Sequence, residues 1–331
     1  QPQNYGQQQN YQQMPPYQQQ GAQPVPGINT QGVPQFRPPP INPNYNAEAD
    51  CELLRKAMKG LGTDEKTIIN VIVARTNYER QQIKKYYSAS YGKDLIKELK
   101  SELSGHFEDL VIGLFMSPAE HDATCLYKAM KGAGTNEDIL TEIIGTRTNE
   151  EMNQIKIVYE QMYKKSLQKW VESETSGCYR KLLVSLLQGC RRTNPYPDPA
   201  QCKADVDALY KAGPAKWGTD EAIFNKIFAL RSLDELRMIC KIYQESYGKP
   251  LLKVIESEFS GDVKKLLITI VNHCLNPSEF YAKKIHEAVH GLGTNDKKLI
   301  RVCVYRCEKD LPQMKAEYQR LYGKDMVGAI R

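Results

Sequence analysis

The chain has 331 residues, a formal net charge of +6 and 41% hydrophobic residues. That length and apolar share are ample for a sizeable core in one lobe or more, and the mild positive charge fits an anionic surface without arguing for a nucleic-acid partner. No run of about 18 apolar residues appears, so nothing is expected to span a bilayer, and nine cysteines without a C-x-x-C pair read as small packing residues of a reducing compartment, not as a disulfide framework.

Residues 1–46 form a low-complexity stretch of Gln, Pro, Gly and Tyr whose only formally charged side chain is Arg37. Such a composition cannot bury enough apolar surface to offset the entropy of ordering, so a disordered tail is expected. It is either a passive spacer or a segment for self-association or partner binding. It lacks a basic start followed by an apolar stretch, so no secretory signal is expected.

From residue 47 onward the pattern is helical. Leu53, Leu54, Ala57 and Met58 recur at i, i+1, i+4 and i+5, and Ile68, Ile69, Ile72 and Val73 repeat that spacing. These are amphipathic helices with one apolar face.

Self-similarity is the strongest signal. Four segments carry a Gly-Thr pair at an expected helix start: KGLGTDE (59–65), KGAGTNE (131–137), KWGTDE (216–221) and HGLGTND (290–296). The glycines before the threonines, Gly62, Gly134, Gly218 and Gly293, are 72, 84 and 75 residues apart. Thirteen residues after each stands an arginine (Arg75, Arg147, Arg231, Arg306), and 29 after each a tyrosine (Tyr91, Tyr163, Tyr247, Tyr322). The arginines are expected to brace helices through buried carboxylates. The threonine is expected to cap the next helix, with Glu65, Glu137, Glu221 or Asp296 at its positive end. A repeat of this length holds about five short helices. The expected layout is a tail at 1–46, repeats at 47–116 and 117–190, a Pro-rich linker at 191–203, and repeats at 204–275 and 276–331, the last incomplete at its C-terminus.

Forty residues after each of the first three glycines lies a glutamate just before a Ser-Gly pair: Glu102, Glu174 and Glu258. Calcium takes roughly six to eight hard oxygen ligands, mostly carbonyls, waters and carboxylates. A glycine turn can aim several carbonyls at one point because glycine accepts positive φ, and one distant carboxylate could complete the set.

The K-G-x-G-T loops, the distant acid before Ser-Gly and the four units closely resemble the annexin family over residues 47–331. The resemblance implies an all-α fold of four annexin-like repeats forming a curved disk with the calcium loops on its convex face. It also implies reversible, Ca2+-dependent binding to anionic, phosphatidylserine-like phospholipid membranes. Carried over, the first site uses the carbonyls of Met58, Gly60 and Gly62 with Glu102, and the second those of Met130, Gly132 and Gly134 with Glu174. The third uses Gly213, Lys216 and Gly218 with Glu258. The fourth loop offers Val289, Gly291 and Gly293 but reaches no acid at the matching distance, so weak or absent calcium binding is expected there. Leu61, Ala133, Trp217 and Leu292 precede the loop glycines and are the expected membrane contacts, Trp217 above all.

One decoy competes. His286-Glu287-Ala288-Val289-His290 has the H-E-x-x-H spacing of a zinc hydrolase. The other repeats place Arg55, Tyr127 and Lys211 where His286 sits, and Lys59 and Lys131 where His290 sits, so the motif reads as a by-product of the repeat. The expected function is therefore non-enzymatic: a peripheral membrane protein of the cytoplasm, with the extracellular surface as a second location, serving membrane organisation, aggregation or trafficking. The alternative is a calcium-independent helical scaffold whose tail recruits partners.

Overall fold

The computed structural model describes residues 45–330 except Leu61, Lys216, Trp217 and Leu292. Expectations placed on the tail up to residue 44, on Lys216 as a ligand and on Leu61, Trp217 and Leu292 as membrane contacts lie outside the described residues.

Among the described residues there are nineteen α-helices and no strand. They fall into the repeating order the spacing predicts. The first unit is α1 (Ala47–Ala57), α2 (Glu65–Val73), α3 (Asn77–Tyr91), α4 (Leu95–Glu102) and α5 (Gly105–Phe115). The second is α6 (Pro118–Met130), α7 (Glu137–Thr146), α8 (Asn149–Tyr163), α9 (Leu167–Glu174) and α10 (Gly177–Leu187). The third is α11 (Pro199–Ala212), α12 (Glu221–Leu230), α13 (Leu233–Tyr247), α14 (Leu251–Glu258) and α15 (Gly261–Leu275). The fourth holds α16 (Pro277–Val289), α17 (Asp296–Arg306), α18 (Leu311–Tyr322) and the short α19 (Met326–Ile330).

Local chemistry sets these boundaries. The long helices α3, α8 and α13 each open on a reciprocal capping box, Thr76 with Glu79, Thr148 with Glu151 and Ser232 with Glu235. Each long helix also ends in a left-handed residue, which is Gly92, Gly248 and Gly323 in three repeats but Lys164, at φ 55°, in the second. A side chain in that region costs roughly 1 kcal/mol. Lys164→Gly is therefore expected to raise stability by about 1 kcal/mol, read as a higher urea midpoint at unchanged slope.

Packing inside each unit follows the repeated tyrosines. Tyr163 and Tyr247 stack face to face on Tyr127 and Tyr210, with ring centroids 3.9 Å apart in both pairs. Tyr91 receives the Arg55 guanidinium at 4.3 Å, and Tyr322 stacks on His286 at 3.7 Å. Tyr210, not Lys211, is thus the third-repeat counterpart of His286. The third loop is one residue longer than the others, which shifts counting from its glycine by one.

The repeated arginines brace helices as expected. Arg75, Arg147 and Arg231 each make a two-pronged pair with an aspartate on the first helix of their unit, Asp50, Asp122 and Asp205, at 2.5–2.9 Å. In the fourth unit Tyr281 stands at that aspartate's position. Arg306 turns instead to Asp310 at 2.7 Å and lies 4.5 Å over the Tyr281 ring. Repeats two and three share one continuous apolar core, while repeats one and four each hold a separate one. The fourth unit is tied to the others by charge, through Arg301 with Glu142 at 2.7 Å, Lys309 with Glu151, and Arg80 with Glu308 at 2.5 Å.

One face is left bare. The position eleven residues after the loop glycine is Val73, Gly145, Ala229 and Val304. A Cβ on Gly145 would lie 3.0 Å from Leu266 of α15, and Val304 lies 3.2 Å from the Cβ position of Gly113 in α5. Ala229 is buried as well. Val73 is 71% exposed and Ile69, one turn before it, 43%, because no described helix covers α2 from that side.

Candidate metal sites in the glycine loops

Each glycine loop joins the end of one helix to the start of the next, and the same backbone bond closes it in all four units. The N–H of Asp64, Asn136, Asp220 and Asn295 donates to the carbonyl of Ala57, Ala129, Ala212 and Ala288 at 2.9, 2.9, 2.6 and 2.7 Å. Each of those alanines is buried in the last turn of its helix. Between closure points the chain takes backbone angles that side chains rarely adopt: φ is 124° at Gly60 and 89° at Gly62, and 116° and 86° at Gly132 and Gly134. These angles make the glycines obligatory.

The helix cap is not the threonine expected from the sequence. Asp64, Asn136, Asp220 and Asn295, one residue on, accept the first-turn N–H groups of α2, α7, α12 and α17. Their longer Asx side chains reach the second or third N–H of the helix. The threonine is thereby released for another partner. Thr63, Thr135 and Thr219 donate from Oγ1 to Oε2 of Glu102, Glu174 and Glu258 at 3.2, 2.9 and 2.7 Å. The loop and the glutamate 40 residues away are therefore in direct contact in all three units. In the third, a Cβ on the buried Gly213 would lie 3.6 Å from Oε2 of Glu258.

The electrostatics of the three places favour a cation. Glu102, Glu174 and Glu258 are each the last residue of their helix, α4, α9 and α14. The loops begin at the C-terminal ends of α1, α6 and α11. Helix C-termini carry unpaired carbonyls and the negative end of the dipole, so two such ends and a carboxylate converge at each loop. Among the described residues no hydrogen bond reaches the carbonyls of Met58, Gly60, Gly62, Met130, Gly132, Gly134, Gly213 or Gly218. These hard oxygens suit calcium, with three carbonyls and a bidentate carboxylate supplying about five of its six to eight ligands.

The fourth loop differs. Val289, Gly291 and Gly293 are in place, with φ 145° and 86° at the glycines, but the Gly291 carbonyl accepts from the Gly293 N–H at 3.1 Å. At the loop tips, Ala133 is exposed, and Lys59 and Lys131 beside their loops are exposed too. The H-E-x-x-H residues are occupied structurally. His286 stacks on Tyr322 and meets the Tyr318 hydroxyl at 3.1 Å through Nδ1, and Glu287 pairs with Lys284 at 3.1 Å and Lys298 at 3.3 Å. Among the described residues no three His, Cys, Asp or Glu side chains converge to hold a metal ion.

Sequence reading missed two features of the site. The closing alanine, five or six residues before the loop glycine, was visible in all four units. The second is a tryptophan on Glu174: the Trp170 indole N–H donates to Oε1 at 3.1 Å. Trp170 stands one helical turn before the glutamate, but it has no counterpart in the other repeats and so escaped a search for recurring residues.

Comparison with known proteins gives one family. The annexin family model, described simply as "Annexin", matches residues 49–114, 121–186, 204–270 and 280–331. Human annexin A7 is 45% identical over 283 residues, covering 86% of this chain and 58% of that protein. The chain thus spans less than two thirds of the length of that relative. The solved structure of annexin III superposes with a TM-score of 0.86 at 43% identity, covering 87% of this chain and 90% of that one. The calcium-bound structure of annexin (Sm)1 superposes with a TM-score of 0.82 at 34% identity, covering 90% and 89%.

Proposed function

The chain belongs to the annexin family, and from that premise we propose that it binds anionic phospholipid membranes reversibly through calcium held in its first three glycine loops. The observation that carries this reading is the Thr-to-Glu contact repeated in three units, which joins each loop to its distant carboxylate. The ligands would be Met58, Gly60, Gly62 and Glu102; Met130, Gly132, Gly134 and Glu174; and Gly213, Lys216, Gly218 and Glu258. About five protein oxygens leave one to three calcium positions for water or a lipid phosphate oxygen. Calcium would supply the positive charge that joins two negative partners, carboxylate and headgroup. Lys59 and Lys131 each add about 1 kcal/mol toward an anionic leaflet, and Leu61, Ala133 and Trp217 are the proposed contacts with the interface. Val289, Gly291 and Gly293 would line a fourth, weaker site because the Gly291 carbonyl is already engaged by the Gly293 N–H, and Leu292 is its proposed membrane contact.

No helix among the described residues is long and apolar enough to cross a membrane, which fits attachment at the surface. The role is membrane organisation, aggregation or trafficking at the cytoplasmic face, without catalysis. Cosedimentation with phosphatidylserine-containing vesicles tests it. Binding is expected with Ca2+ and is expected to be reversed by chelator; binding that survives chelator would favour a calcium-independent scaffold instead.

A further inference from the structure

The three candidate carboxylates are not held alike. Among the described residues, Glu102 and Glu258 each receive one side-chain donor, from Thr63 and Thr219. Glu174 receives two, one on each oxygen: Thr135 Oγ1 on Oε2 at 2.9 Å and Trp170 Nε1 on Oε1 at 3.1 Å. The residue at the Trp170 position is Glu98 in the first repeat and Val254 in the third. Valine has no donor, and Glu98 is itself held by the Tyr87 hydroxyl and Lys93.

Trp170 is in turn fixed by its surroundings. Its ring lies edge-on to Tyr127 at 5.2 Å and to Tyr159 at 6.1 Å, with the Lys165 ammonium 4.5 Å over its face. Tyr127 is stacked on Tyr163 and lies on α6, three residues before Met130, the first candidate carbonyl of the second loop. A continuous aromatic cluster therefore runs from the loop to the indole, and from the indole to the carboxylate.

We propose that Trp170 is a positioning residue that locks Glu174 in its calcium-coordinating orientation and makes the second site the tightest of the three. The inference rests on the calcium reading of the loops. An ionised carboxylate has about four lone-pair sites. Two donors, one per oxygen, leave one on each oxygen, the number a bidentate ion needs. The donors thus act as outer partners that orient a ligand without displacing the metal, a role whose loss costs about 10- to 100-fold in metal affinity.

The test uses the full chain with Glu102→Gln, Glu258→Gln and Trp217→Phe, which leaves the second site as the one carrying its glutamate and Trp170 as the only tryptophan, since the chain has two. In calcium-free protein the Trp170 indole proton should exchange slowly with water in nitrogen-15 NMR spectra. Added Ca2+ should shift Trp170 emission, because the ion draws charge from the oxygen that the indole binds. Calorimetry should show Trp170→Phe weakening calcium binding by about 10- to 100-fold. In a Glu174→Gln background the same change should have little effect on calcium.

A Trp170→Phe protein with a lower melting temperature but unchanged calcium affinity would overturn the proposal, as would an equal loss in the Glu174→Gln background or an indole proton that exchanges freely. Calcium bound normally by the unsubstituted chain in those cases would leave the wider reading standing. No calcium bound by the unsubstituted chain, even with acidic vesicles present, would overturn both.

Discussion

Glu102→Gln, Glu174→Gln and Glu258→Gln combined are expected to raise the Ca2+ concentration for half-maximal binding to phosphatidylserine vesicles by more than about 100-fold. Loss of an outer partner alone costs about 10- to 100-fold in metal affinity, and here a ligand carboxylate is removed at each site. On the proposed function the three sites engage one membrane, so their losses compound through effective concentration. Glutamine keeps the shape and can still accept from Thr63, Thr135 and Thr219. Helical content and melting temperature in calcium-free buffer should therefore stay close to those of the unsubstituted protein. Single substitutions should rank the sites, with Glu174→Gln the most damaging if Trp170 acts as proposed. An unchanged Ca2+ titration of the triple variant would remove the distant carboxylates from the site.

Much of this site was legible in the sequence because a repeat converts spacing into evidence. The offset of 40 residues between loop glycine and glutamate recurs in three units, and the threonine beside the glycine meets that glutamate in each. What stayed hidden depended on choices between near-equal partners. Threonine and the Asx residue after it can each cap a helix; the Asx residue takes the cap and the threonine turns to the carboxylate. Likewise Tyr210 and Lys211 are adjacent, and only the extra residue in the third loop decides which stacks on Tyr247. Trp170 was unreadable for the opposite reason. It occurs once, and repetition singles out what is shared. The fold was more legible than the site, since amphipathic periodicity and the capping boxes at Thr76, Thr148 and Ser232 are local signals. The contacts between units were not, because Glu142 with Arg301 and Glu151 with Lys309 join residues more than 150 positions apart.

Asp122→Ala is expected to cost about 3–5 kcal/mol of stability, because it leaves a buried charge without its counter-ion. The Arg147 side chain is fully buried, and its remaining hydrogen bonds go to Thr146 Oγ1 at 2.8 Å and the Tyr281 hydroxyl at 3.1 Å, neither of which carries a charge. Asp50→Ala removes the same bond from the first repeat, but the Arg75 side chain is 13% exposed and can draw on water, so a smaller loss is expected. Acid should attack the same interior from two directions. Burial opposes ionisation of Glu151, but Lys309 and then Arg147 outweigh it and hold the carboxyl down at about 2. A carboxylate lowered in the folded state contributes stability that is present above its unfolded value near 4.5 and is lost as pH falls toward 2. The buried His121 and His273 are pushed down to about 4 and about 3 by burial first, and His273 further by Arg306 and Arg147. The unfolded chain then takes up these protons first, so stability also falls as pH drops below 6.5. Both effects have one sign. Melting temperature should hold down to about pH 6.5 and then decline in two overlapping stages, the histidines first and Glu151 below pH 4.5. Glu151→Gln should flatten the second stage while leaving the first, and a melting temperature independent of pH between 6.5 and 3 would show that these buried groups do not set the acid limit of the fold.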